Sequence, residues 1–112
     1  MLTGKCVSAL RDAVSNLLLN ALQATPSGGY VKLVADAHDD ELVIAVEDSG
    51  SGVPADLRER IWEPFFTTRQ RGTGLGLAIV RKRVQEVGGS ALLAASNGRG
   101  AVFHLRLPLD AN

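Results

Sequence analysis

Three things are scarce in this sequence. Aromatic residues fill 4% of its 112 positions, cysteine occurs once, and 12 Lys plus Arg cancel 12 Asp plus Glu. Each shortage excludes something. A single cysteine, Cys6, closes no intrachain disulfide and builds no cysteine-based zinc site, so it is read as inert. A formal charge of zero lacks the basic excess of duplex-binding domains, which argues against nucleic acid as a partner. No apolar run approaches the ~18 residues of a membrane span, and the N-terminus lacks the layout of a signal peptide. The expectation is a cytoplasmic domain with no direct membrane contact of its own. With few rings available, the core must rest on Leu, Val, Ile and Ala. A hydrophobic share of 46% suffices for one domain, 1–112, without repeats or linkers.

What is present has a clear order. The spacing predicts a first helix over 5–24, with Val7, Leu10, Val14, Leu17, Leu18 and Ala21 as its apolar stripe. Thr25-Pro26-Ser27-Gly28-Gly29 breaks it. Alternation predicts strands over 30–36 and 41–48, joined by a hairpin at His38-Asp39-Asp40. In the second strand Leu42, Ile44 and Val46 share a face with Asp48. Pro54 suits the first position of a short helix to about 60. A longer helix follows Gly72-Thr73-Gly74-Leu75-Gly76 and ends at Gly88-Gly89. Two last strands, 90–96 and 101–107, flank the turn Asn97-Gly98-Arg99-Gly100. The predicted fold class is α+β: a two-layer sandwich of a mixed, mostly antiparallel sheet with helices on one face.

Four features carry chemistry, and each has a plain structural alternative. The glycines of 72–76 stand before a helix, whose free N–H groups and dipole suit phosphate; the alternative is a flexible loop. No Gly-Lys-Ser/Thr follows, so this is not a Walker loop. Asp48, with Gly50 and Gly52 behind it, places a carboxylate on an inward face. There it would accept from the exocyclic amine of adenine, or cap the next turn. Asn16 and Asn20, joined by Gln23, share a helix face opposite the apolar stripe. They form a solvated face, or Asn20 gives an amide oxygen to Mg²⁺, which takes few protein ligands beside phosphate and water. Phe65-Phe66-Thr67-Thr68-Arg69 is core packing, or a lid pinned by Phe66 whose Thr68 and Arg69 reach phosphate. Charge placement favours an anionic ligand: seven of the 12 basic residues lie between Arg58 and Arg83. Arg81-Lys82-Arg83 alternatively reads as a solvated helix face. His38, in a turn, and His104, on a polar strand face, are read as surface residues.

Taken in order, Asn-Leu-Leu-Leu-Asn-Ala-Leu-Gln-Ala (16–24), Asp-Ser-Gly-Ser-Gly (48–52), Glu-Pro-Phe-Phe-Thr-Thr (63–68) and Gly-Thr-Gly-Leu-Gly-Leu-Ala-Ile-Val (72–80) resemble the N, G1, F and G2 boxes of bacterial sensor histidine kinases. Gln23-Ala24 is similar to the nitrogen-regulatory subgroup. The resemblance implies the Bergerat sandwich of the gyrase, heat-shock-90, histidine kinase and MutL ATPases. It implies ATP and Mg²⁺ as cofactors, with the metal on Asn20 and adenine on Asp48. The phosphates would lie along Asn16, Gly72, Thr73, Gly74, Leu75, Gly76 and Leu77, and Arg69 would touch them from a mobile lid. It implies transfer of the terminal phosphoryl group to a histidine on a separate helical dimerisation domain, with a response regulator downstream. No general base is needed, because such transfer rests on positioning and charge neutralisation. Two departures stand out. Ala101 follows Gly100 where the family commonly has Thr, and only Leu2-Thr3 remains of the strand that precedes the family's first helix. The natural protein is therefore expected to be longer, and membrane attachment of the parent is left open. An anti-sigma-type serine kinase and a nucleotide-binding module without transfer are the alternatives.

Overall fold

The computed structural model describes residues 4–64, 66, 76–97 and 100–109. Along them run α1 (Gly4–Ala24), β1 (Val31–His38), β2 (Glu41–Asp48), two 3-10 turns (Ala55–Leu57 and Arg60–Trp62), α2 (Gly76–Glu86), β3 (Ser90–Asn97) and β4 (Gly100–Pro108). The strands form one sheet in the order β1-β2-β4-β3, and all three pairings are antiparallel. α1 lies over β2 and part of β1, α2 over β3 and β4, and the two helices pack against each other. The two-layer α+β sandwich expected from the order of elements is what the chain forms. No helix among the described residues is long and apolar enough to cross a membrane.

Alternation sets which strand faces meet the helices. Ile44 stands opposite Leu105 and Val46 opposite Phe103, and all four are buried. Leu105 and Leu107 join Leu17, Val80 and Val84 at the centre of the core. The scarcity of rings makes the few present useful: Trp62 meets Phe103 edge-on at 5.7 Å and buries the end of the second 3-10 turn. The single short helix expected over 54–60 is thus two separate turns, split so that Ile61 and Trp62 reach the core.

α1 corrects the sequence reading in its phase. Its buried positions are Cys6, Ala9, Ala13, Leu17 and Ala21, whereas Val7, placed in the expected stripe, is 52% exposed. Alanines on the contact line let the helix approach both the sheet and α2 closely. Leu10, Val14 and Leu18 are displaced to the flank, where they pack against the core while only partly buried. Asn16 and Asn20 consequently border the buried line instead of lying opposite it, and both are half-buried.

α2 ends as expected. Gly88 takes φ 82°, its N–H donates to Gln85 O at 3.1 Å, and Gly89 N–H donates to Val84 O at 2.8 Å. His38 closes β1 instead of sitting in the turn, and Asp39 takes the positive φ there, 54°. At the start of β4, Gly100 has φ 144°, and a Cβ on it would overlap the carbonyl of Asp48. Gly100→Ala should therefore cost at least about 2 kcal/mol through strain and overlap. Thermal unfolding followed by circular dichroism should show a melting point lower by roughly 10 °C.

Candidate functional site

The sheet delivers Asp48 to the end of β2 on its helix-facing side, 4% exposed, and it is the buried charged residue among those described. One carboxylate oxygen accepts from Gly50 N–H at 2.9 Å, so Asp48 does cap the following turn. A carboxylate retains acceptor capacity beyond one such bond. Gly50 is buried against the last turn of α1, where a Cβ would overlap the Ala24 carbonyl. Gly52 turns the chain with φ 79°. Ala101 lies directly across from Asp48 in the β2–β4 register and is buried. Ala101 thus presents a methyl, with no hydroxyl, to this corner.

Side chains that the sequence reading did not single out hold this corner. Tyr30 N–H donates to Ser49 Oγ at 2.7 Å, and Ser49 N–H donates to Tyr30 O at 3.1 Å. The Tyr30 hydroxyl donates to Glu47 at 2.7 Å, and that bond holds the phenol above its ordinary pKa. Val53 N–H donates to Ser96 Oγ at 2.6 Å, and Arg58 Nη2 donates to Ser96 O at 2.7 Å. The loop after Asp48 is thus fastened to both sheet edges. A serine beside a hairpin turn carries no pattern that would have pointed to it.

The helices bring up the second half of the site. They run antiparallel, as two contacts fix. Arg83 Nε donates to Asp12 at 3.0 Å, and a Cβ at Gly76 would lie 3.6 Å from Asn16 Oδ1. Arg83 also donates to Glu86 at 2.8 Å; that bond, then the one to Asp12, keeps its pKa above the ordinary value. Asn16 Nδ2 donates to Asp12 O at 2.8 Å, which sets the amide so that its oxygen faces the start of α2. Asn20 lies one turn further on, toward Ala24 and the Gly50 turn. Gln23 is exposed. Leu77 packs partly buried against the core. Asn16 thus faces Gly76 at the start of α2, while Gly50 and Asp48 lie against the Ala24 end of α1, with Asn20 on the turn between.

Phe66 also packs against the core, with the Arg60 guanidinium 4.8 Å above its ring. Thr68, Arg69, Gly72, Thr73, Gly74 and Leu75 lie outside the described residues. Arg81 is no solvated cation: it stacks on Trp62 at 4.1 Å. An apolar groove lined by Trp62, Pro64, Ala78, Ile79, Arg81, Lys82 and Gln85 includes none of the expected site residues and offers no carboxylate for an adenine amine. No group of three or more His, Cys, Asp and Glu side chains comes together among the described residues. A single amide such as that of Asn20 fits Mg²⁺, which draws most of its oxygens from phosphate and water.

Comparison with known proteins gives the family and the fold. A family described as histidine kinase-, DNA gyrase B-, and HSP90-like ATPase matches residues 7–111. The sensor histidine kinase ZraS of Escherichia coli K12 is 41% identical over 101 residues, which are 90% of this chain and 22% of that protein. Sporulation kinase E of Bacillus subtilis is 38% identical over 104 residues, 92% of this chain and 14% of that protein. Among solved structures, the catalytic domain of histidine kinase ThkA superposes with a TM-score of 0.80 at 34% identity, covering 90% of this chain and 66% of its own. The mycobacterial sensor histidine kinase MprB gives 0.78 at 35%, covering 90% and 70%.

Proposed function

Because this chain belongs to the histidine kinase-, DNA gyrase B- and HSP90-like ATPases, as the catalytic domain of a sensor histidine kinase, we propose that it binds ATP with Mg²⁺ and donates the terminal phosphoryl group to a histidine on a separate helical dimerisation domain. The acceptor would pass the group to a response regulator. The observation that carries this reading is the buried carboxylate of Asp48. Burying a charge is costly unless it has partners; Gly50 N–H supplies one, and the carboxylate keeps acceptor capacity for a base. The adenine amine donates to Asp48. Asn16 and the start of α2 lie where phosphates approach helix N–H groups. Asn20 would hold Mg²⁺, which neutralises phosphate charge when bound. The chain's own work is to bind and orient the nucleotide; the attacking nitrogen belongs to the acceptor domain.

The test is incubation with γ-labelled ATP, first alone and then with a helical domain carrying a phosphoacceptor histidine. The chain alone should remain unlabelled. His38 and His104 are the only histidines, and both sit on strands whose positions the sheet fixes, His38 being paired with Glu41 and His104 with Ala45 and Leu92. With the acceptor domain, acid-labile label should appear on that domain. Label on a serine would support the serine-kinase reading instead. Nucleotide binding without any transfer would make the chain a binding module, and stoichiometric label on His38 or His104 would overturn the role of donor to another domain.

A further inference from the structure

Asp48, Ala101 and Ser96 stand in one row across the sheet, from β2 through β4 to β3. A bulge makes the row. Leu93 pairs with Phe103, and regular pairing from there would set Ala95 opposite Ala101 and Ser96 opposite Gly100. The shift between Leu93 and Ala95 inserts one residue, so that Ser96 meets Ala101 instead. Ser96 is thereby turned to the side of the sheet that Ala101 and Asp48 share. It stands two strand spacings, about 10 Å, from Asp48.

The chain from Asp48 to Val53 crosses that gap as a strap, tied at each end by a side chain of the row. At one end Gly50 N–H donates to Asp48 Oδ1 at 2.9 Å. At the other, Val53 N–H donates to Ser96 Oγ at 2.6 Å, and the hydroxyl hydrogen has Gly100 O at 3.3 Å and Val53 O at 3.4 Å as acceptors. Ser96 O accepts from Arg58 Nη2 at 2.7 Å, a second tie just beyond the strap. Gly50 and Gly52 give the strap little stiffness of its own, and Gly52 sits at a positive φ of 79°. Its shape is therefore set by its ties. The tie at Gly50 also orients the Asp48 carboxylate, so slack admitted at Val53 passes through three residues of backbone to the aim of that carboxylate.

We propose, resting on Asp48 as the adenine acceptor, that Ser96 is a positioning residue for base recognition: it holds the Val53 end of the strap and so keeps the Asp48 carboxylate aimed at the exocyclic amine. Calorimetry with ADP and with the diphosphate of purine riboside, which lacks only that amine, isolates the contact. The wild type should favour ADP by roughly tenfold or more. Ser96→Ala should lower this preference by roughly threefold to tenfold, the range of one lost hydrogen bond, while purine riboside diphosphate binds nearly as before. Ser96→Thr keeps the hydroxyl and should keep the preference. In Asp48→Asn the preference is already gone, and adding Ser96→Ala should change the ratio no further, because the two residues act as one unit. Arg58→Ala removes the second tie from an exposed position, where folding is not at stake, and should lower the preference about twofold. An unchanged preference in Ser96→Ala and Arg58→Ala, including equal weakening of both nucleotides, makes the ties structural only and overturns the proposal. So does a Ser96→Ala effect on the ratio that persists in full beside Asp48→Asn. A wild type that does not distinguish the two nucleotides takes the amine away from Asp48 itself, and the role of Ser96 falls with it.

Discussion

Asn20→Ala should take phosphoryl transfer to an added acceptor domain down to background while leaving the chain folded. Asn20 borders the buried line of α1 without being part of the core, and alanine is the better helix former there. Stability should change by no more than about 1 kcal/mol, because the gain in helix propensity offsets the loss of a side-chain contact. The loss is chemical: the half-buried amide of Asn20 is the oxygen donor assigned to Mg²⁺, and no group of three or more His, Cys, Asp and Glu side chains among the described residues offers the metal another site. The measurement is labelled transfer to the acceptor domain, paired with ATP affinity with and without Mg²⁺. The wild type should bind ATP more tightly with the metal, and the variant should lose that difference. A variant that transfers normally would remove Asn20 from the site.

Asp48→Asn should weaken adenine nucleotides by roughly five- to 150-fold, the equivalent of ~1–3 kcal/mol for a buried partner of the wrong polarity. The substitution is selective for a structural reason. The amide oxygen of asparagine still accepts from Gly50 N–H, the 2.9 Å bond that shapes the turn. In the proposed complex the amide NH₂ would then face the adenine amine with a donor where a carboxylate oxygen would accept. Affinity falls and the melting temperature hardly moves. Asp48→Ala differs, because it also leaves Gly50 N–H without its acceptor, so both quantities fall. Calorimetry with ADP distinguishes the cases, and equal affinities for wild type and Asp48→Asn would place adenine elsewhere.

Where the sequence was legible, the reason was periodicity or a breaker. β2 is found at the expected bounds, the inward set Phe103, Leu105 and Leu107 follows strict alternation, and the Gly88-Gly89 end of α2 takes the geometry its residues demand. The phase of α1 was not legible. Its hydrophobic residues cover more than one sector, and hydrophobicity alone favours Val7 over Cys6 and Ala9. Close approach of helix to sheet selects the small residues, and only the packed structure contains that distance. In the site, Asp48 was legible from the parity of its strand. Ser96, Ser49 and Arg58 were not, because each acts through a main-chain bond to a residue distant in sequence. Arg81 and Arg83 were obscured in the same way. Three adjacent cations look like solvent-facing charge until Trp62, Asp12 and Glu86 are placed beside them.

The position of β4 bears on how the molecule comes into being. The last of the four strands to be synthesised is not at the margin of the described sheet; it lies between β2 and β3 and carries Ala101, Phe103, Leu105 and Leu107 into the core. Its bonds to β2 join segments separated by the whole of α2 and the glycine-rich stretch, so the sheet closes through long-range pairing. Until those nine residues emerge, β1–β2 is a lone hairpin and α1 has half a surface to rest on. Folding during synthesis is accordingly late and all at once, and nascent chains that stop short of Gly100 expose the apolar faces of both helices to chaperones and proteases.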